Sequence, residues 1–405
     1  MDVKPDQLLV SVQRGLANPF GRCVQGLEVR CLTGAWCGAR PPCCTRRRAP
    51  TDPRHIHDRV GRSRFGPGNR EQSLRGKVVR PPMNRRIFGG SLLAGTGALA
   101  VRRLCSTGRL RDRRKSRSRV AILHAESYDE PLDRLLLDGL GLFDLDLRGK
   151  TVLLKPNLVE YIAGADVNTD PRLVGAAANT LLAMGAKSVV VGEGPGHQRD
   201  TFLVLAESGL EKELQLRRIR FIDLNRDEIR QVPLKSAFTG LEKLWLPRTV
   251  LTSDIVVSMP KVKTHHWAGV TLSMKNLFGV VPGVAYGWPK NLLHCKGIER
   301  SILDINAAVP AHFVIADGII GMERNGPLNG SPRNLGRIVL ADDPVAADFV
   351  CTRLMGLDPL RVNYLAQAAE FLGNGTPDRI VQLAEPMLVP QEPFAVLPEF
   401  AHLRI

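Results

Sequence analysis

The chain reads as an α/β protein: a mostly parallel sheet flanked by helices, with length enough to leave a two-lobed arrangement open. Three observations predict this. Short aliphatic and β-branched runs, among them VAILHA from Val120, TVLLKPN from Thr151 and IVV from Ile255, have the continuous apolar character of strands covered on both faces. Helical patterns alternate with these runs, as in strand–helix–strand units. Polar residues gather just past the strand ends, where open α/β sheets bind ligands.

Charge divides the 405 residues unevenly. Of the 56 Lys and Arg, 27 fall in residues 1–119 against 7 acidic residues, whereas the remaining chain is mildly acidic. The basicity belongs to the head, so nucleic acid is not an expected partner of the domain. Cys23, Cys31, Cys37, Cys43, Cys44 and Cys105 lie in the head; Cys295 and Cys351 remain, and both are expected to be buried thiols. No run of Cys-x-x-Cys repeats is present to hold a ferredoxin-type cluster.

Residues 1–82, rich in Arg, Pro and Gly, show no sustained period and read as a basic low-order head, with a start-site error as the alternative. Residues 101–119 form a basic linker expected to be disordered. The domain is expected over 120–385. A helix covers Pro131–Gly139. Asp170 caps a second helix, with Pro171 at its first position and Gly185 past its end. SVVVGEGPGH is a strand running into a glycine turn before a helix near Thr201–Ser208. Gly297–Ala308 is amphipathic, Phe313–Ala316 is a strand followed by a Gly-rich loop, and GRIVLA is another strand. Asp343-Pro344 opens a helix closed by Gly356. Leu360–Leu372 reads as a last helix, and the Pro-rich tail, residues 386–405, as an extended arm.

The run Asp254–Gly283 organises the site. Lys261, Lys263, His265, His266, Lys275 and Asn276 are interleaved with Val262, Trp267, Val270, Leu272, Leu277 and Phe278. Solvated loops seldom carry so many large apolar residues, and cores seldom carry so many cations. Other strand-end loops contribute Lys155 and Asn157, Glu193 and Gly194, and Asp317, Glu323 and Asn325. Lysines suit a small anionic ligand. Imidazoles that titrate near neutrality suit proton transfer, which makes His265 and His266 the acid–base candidates. Lys275 is the candidate anchor for a cofactor or carbonyl, because an amine in apolar surroundings can lose its proton. Asp317 and Glu323 are the candidates for a hard cation.

The segment PKVKTHHWAGVTLSMKNLFGVVPG resembles the central signature of the domain-of-unknown-function 362 family, an uncharacterised α/β group whose members often carry ferredoxin-type clusters. A more distant resemblance is to the nickel-pincer lactate racemases, carried by His265, Ala268, Gly269, Lys275 and Pro282-Gly283. It implies a lysine that holds the cofactor covalently and a histidine in proton transfer. Asn291 stands at the spacing of their later nickel-ligating histidine, with His294 three residues on. Arg324 replaces a glycine that relatives carry after the acidic residue. The cofactor stays open, with a transition metal among the choices.

Met83–Ala100 resembles a twin-arginine export signal: Arg85-Arg86, a weakly apolar run and Ala98-Leu99-Ala100. That resemblance implies the twin-arginine translocation machinery as a partner and an extracytoplasmic or periplasmic location. The chain is thus expected to be an exported, cofactor- or metal-assisted enzyme, isomerase-like or redox, acting on a small anion. A redox partner protein belongs to the same expectation. The alternative is a non-catalytic binding or maturation protein holding a metal, cluster or anion.

Overall fold

The computed structural model describes residues 112–196, 200–309 and 311–405. The head, the export-type segment and the first part of the basic linker lie outside the described residues. The strands are β1 (Ser118–His124), β2 (Thr151–Pro156), β3 (Ser188–Glu193), β4 (Arg220–Asp223), β5 (Ile229–Pro233), β6 (Lys243–Pro247), β7 (Ile255–Met259), β8 (Lys261–His265), β9 (Gly269–Thr271), β10 (Phe313–Asn325), β11 (Asn329–Ala341) and β12 (Ile380–Ala384). The main sheet runs β12-β1-β11-β10-β7-β2-β3-β4, with β8 paired to β10 and β9; β5 and β6 form a separate hairpin. Pairs β2/β3, β3/β4, β2/β7, β7/β10 and β1/β12 are parallel, while β11 is antiparallel to both its neighbours. The α/β expectation holds, as a mixed and mostly parallel sheet.

Two apolar clusters lie on the sheet's faces. Val152, Leu154, Val191 and Ile315 pack with helices Leu132–Leu140 and Pro171–Ala183. Leu153, Val256, Val314 and Val339 pack with helices Ile298–Ala308 and Pro344–Leu354. The alternation of neighbouring β2 residues between the clusters is the two-residue period of a strand. Asp170 and Asp343 cap their helices as expected, accepting from Arg172 N and from Val345 N and Ala346 N.

Strand order creates the site. From β2 the chain moves outward through β3 and β4, then returns to place β7 on the other side of β2. The carboxyl ends of β2 and β7 therefore flank a topological switch point, where helix connections diverge and leave a crevice. Lys155 and Pro156 pair in register with Ser258 and Met259 at this point. The chain then continues beyond Pro260 as β8, which carries Lys261, Lys263 and His265.

Four expectations need correction. The Gly-rich segment after Phe313–Ala316 is not a loop: it continues as β10 and turns back through β11, with Arg324 at φ 69° at the hairpin tip. Its glycines serve close strand approach, since a Cβ at Gly318 would stand 2.9 Å from Arg337 O and one at Gly321 2.9 Å from Val262 O. The basic linker ends earlier than expected. Arg113 donates to Asn306 O and Ala307 O, Lys115 pairs with Asp342 at 3.0 Å, and β1 begins at Ser118. The stretch expected as a last helix is a 3₁₀ turn, Pro359–Arg361, followed by helix Asn363–Ala368. Of the two thiols, Cys351 is buried and Cys295 is exposed; both are free. The tail does pack: Phe394 and Leu403 are buried, and Phe394 N donates to Met355 O.

The segment bearing Lys275 is held from behind. Asp348, fully buried in the helix Pro344–Leu354, accepts from Ser273 N at 2.7 Å and Met274 N at 3.0 Å. Burial pushes its carboxyl up to about 8. Its contribution to stability is therefore full at acid pH and is lost as pH rises through about 8. Asp348→Ala strands two buried donors at about 1–3 kcal/mol each. The expected outcome is an unfolding free energy lowered by about 2–6 kcal/mol, read as a lower urea midpoint at unchanged slope.

Candidate active site

A cleft of about 280 Å³ opens at the switch point. Lys155, Asn157, Glu193, Gly194, Lys261, His265, His266, Lys275 and Asn276 line it. Nine of the residues singled out from the sequence, drawn from three separate strand ends, thus meet in one place.

At its floor Lys155 is wholly buried and forms an ion pair with Glu193, itself 2% exposed. Lys155 Nζ also donates to Pro156 O at 2.8 Å and to Asn276 Oδ1 at 3.0 Å. Burial lowers the Lys155 amine and the Glu193 carboxylate opposes that shift. Asn276 Nδ2 donates to Lys155 O and Ser258 Oγ, tying the ends of β2 and β7 together. Gly279 is required here, because a Cβ would collide with Glu193 Oε1 and Lys155 Nζ.

Two cations are placed differently. Lys275 is half-buried, its Nζ 5.5 Å from the Phe278 ring centroid, and no described residue gives it a hydrogen bond or ion pair. Burial, then the Lys155 charge, brings it down to about 8. Lys290, 2% exposed, donates to Gly194 O at 2.7 Å and Phe278 O at 2.9 Å, and no described carboxylate lies within ion-pair distance. Burial takes it down to about 7, with Glu193 opposing.

The imidazoles differ in tautomer. His265 Nδ1 accepts from Trp267 N at 3.0 Å and Ala268 N at 3.2 Å, so the proton of the neutral ring sits on Nε2. Burial, then Lys275 and His266, drives this ring well below its ordinary value. His266 is the reverse. Its Nδ1 lies 2.7 Å from Gly326 O, which can only accept, so Nε2 carries a lone pair. The two rings stack with centroids 4.8 Å apart. His294 Nδ1 likewise faces a carbonyl, Lys290 O at 3.2 Å, and its ring sits 5.6 Å from Trp267 and 5.3 Å from Phe278.

Four expected site residues lie outside this lining. Lys263 is fully buried and donates to Val167 O at 2.7 Å; burial holds it well below its ordinary value. Asn325 is exposed at the hairpin tip. Asp317 pairs with Lys261 at 3.1 Å and accepts from the Tyr128 hydroxyl at 2.7 Å and Asp170 N at 3.0 Å. Glu323 accepts from Ala395 N in the tail. The two carboxylates thus have structural partners and are not brought together as a cation site. Lys290, Tyr128 and the position of His294 were not foreseen. No local pattern marks them, because their partners come from distant segments.

Residues 152–353 match the family described as "Domain of unknown function (DUF362)". A thylakoid-associated protein of Synechocystis is 30% identical over 263 residues, covering 63% of this chain and 79% of that protein. The chain belongs to the DUF362 family. Among solved structures, a structural-genomics protein of Thermotoga maritima matches at 16% identity and TM-score 0.33, over 53% of this chain and 56% of its own. The lactate racemase apoprotein of Thermoanaerobacterium thermosaccharolyticum matches at 14% identity and TM-score 0.33, over 52% of each chain. The chain spans about half the length of those two structures.

Among the described residues no three His, Cys, Asp or Glu side chains are placed to share a metal. What the cleft can do with its own groups is hold negative charge and move a proton.

Anion affinity should therefore fall at unusually low pH. Lys290 and Lys275 attract an anion only when protonated, so binding is strongest below pH 7 and weakens through about 8. Calorimetric titration with oxalate and inorganic phosphate from pH 6 to 10 checks this. Affinity held to pH 10 would show that ordinary surface lysines bind the ion.

Proposed function

We propose that this protein is an enzyme that transfers a proton on a small carboxylate or phosphorylated substrate. One observation carries the proposal. Two cations without carboxylate partners among the described residues, Lys275 and Lys290, share a cleft with imidazoles in opposite fixed tautomers. The Lys290 ammonium holds the anionic group. His266, with its Nε2 lone pair, takes the proton, and His294 is the second ring whose Nε2 is left available. His265 donates from Nε2–H to an oxygen on which charge develops, and its depressed basicity keeps it a neutral donor. Lys275 is the reactive amine. The acid–base roles expected of His265 and His266 are thus divided: one polarises and the other transfers.

Proton exchange provides the assay. A panel of small 2-hydroxy acids, 2-oxo acids and sugar phosphates is incubated with the protein in D2O and followed by proton NMR. Exchange next to a carbonyl or carboxylate is expected, with His266→Gln slowing it by about 10²–10⁴-fold. Lys275→Ala should abolish it while the thermal midpoint is retained. Exchange unchanged in both variants would leave a binding protein as the better description.

Export through the twin-arginine route is a separate part of the proposal, supported by Arg85-Arg86 and the small-residue site at Ala98–Ala100. Protein recovered from its host should have an intact mass beginning near Val101. A mature chain that retains Met83 would refute processing.

A further inference from the structure

We infer that Lys275 forms an imine with the carbonyl carbon of a small 2-oxo acid, whose carboxylate is held by Lys290. The inference rests on the proton-transfer reading and specifies its substrate class.

The geometry separates the cleft's lysines by availability. Lys155 is occupied by Glu193, Asn276 and Pro156 O, and Lys261 by Asp317 and Tyr128. Lys290 has two carbonyl acceptors, so a protonated amine has one N–H left for a ligand. Lys275 alone among these has no hydrogen-bonding partner in the described residues, and it lies over an aromatic ring close to other cations. An amine desolvated beside a second cation is the arrangement that frees its lone pair for attack on a carbonyl.

The step balances without an outside reagent. The Nζ lone pair forms a C–N bond to C2 of the oxo acid as the carbonyl π pair moves to oxygen. A proton passes from nitrogen to that oxygen, giving a carbinolamine. Departure of the oxygen as water leaves C=N, so amine and ketone become imine and water with no change of oxidation state. His265 Nε2–H faces the charge that develops on oxygen, and the lone pair of His266 relays the proton. A further acceptor is present: Asn157 lines the cleft, and its buried Oδ1 has no partner among the described residues. It can receive the carbinolamine O–H. The cleft, at about 280 Å³, lies just below the usual range for drug-sized ligands, which favours a short oxo acid.

The test treats the full chain with pyruvate, glyoxylate or 2-oxobutyrate in the presence of sodium borohydride, whose hydride reduces any imine to a stable secondary amine. Intact mass and peptide mapping then locate the adduct. One adduct on Lys275 is expected, absent in K275R. Trapping should follow a bell centred between about pH 7 and 8 and of low amplitude, because it needs Lys275 neutral and Lys290 charged while Lys290 loses its proton first. K290Q should raise the half-saturating pyruvate concentration at least about tenfold. Adducts spread over surface lysines, with trapping that climbs toward pH 10, would overturn the inference. So would no adduct with any of the three acids. In either case retained proton exchange in D2O would keep the proton-transfer reading, and its loss from the whole panel would remove both.

Discussion

The ion pair between Lys155 and Glu193 is the contact on which the cleft depends. Moving two charges from water to a site where both are almost wholly buried costs several kcal/mol per ion, and mutual attraction recovers that only when the remaining donors and acceptors are also satisfied. Here they are. Lys155 gives its other protons to Pro156 O and Asn276 Oδ1, while Glu193 also accepts from Leu158 N and Gly194 N. Such a pair is weak support for stability, since apolar residues could fill the same volume. Its use is positional. It fixes the ends of β2 and β3, and through Asn276 the end of β7, into one floor.

A second buried pair does the same one strand further on. Lys261 and Asp317 meet in register across β8 and β10, with the Tyr128 hydroxyl donating to Asp317 and accepting from Lys261. Asp317 also takes Asp170 N, which ties the capped end of helix Pro171–Ala183 to the sheet. Two of the cleft's four lysines are thus neutralised from within. The other two are not, and the protein supplies no carboxylate to them among the described residues. Burial lowers the basicity of Lys275 and Lys290, because a charged amine out of water and without a carboxylate partner is costly.

Much of this was legible in the chain because the signals are local. Continuous apolar runs mark β2, β3 and β7, and Asp-Pro pairs mark two helix starts, since a cap and its first turn are neighbours in sequence. Strand-end polar residues are legible for a topological reason: parallel strands direct their carboxyl ends to one edge. The misreadings around the cleft are non-local. Glu323 resembles a ligand until the tail, about seventy residues later, brings Ala395 N to it. The glycines at 318 and 321 resemble loop residues until β11 and β8 come close enough to exclude a Cβ. Lys290 reaches the cleft from a left-handed position in an irregular segment, which no periodicity reveals.

The tautomers show the limit most clearly. His265 and His266 are adjacent, identical in type and stacked, yet the backbone gives them opposite protonation patterns. Trp267 N and Ala268 N face one Nδ1; Gly326 O faces the other. The first contact depends on the tight turn after β8, the second on the hairpin tip between β10 and β11. A sequence shows two imidazoles that could exchange roles, whereas the fold leaves one as a neutral donor and the other as an acceptor. Division of labour between like side chains through differing environments is how a site performs acid and base steps at one pH. The tautomers therefore belong to the backbone groups that face each ring, and a substitution that displaced Gly326 would free the His266 tautomer without touching a titrating residue.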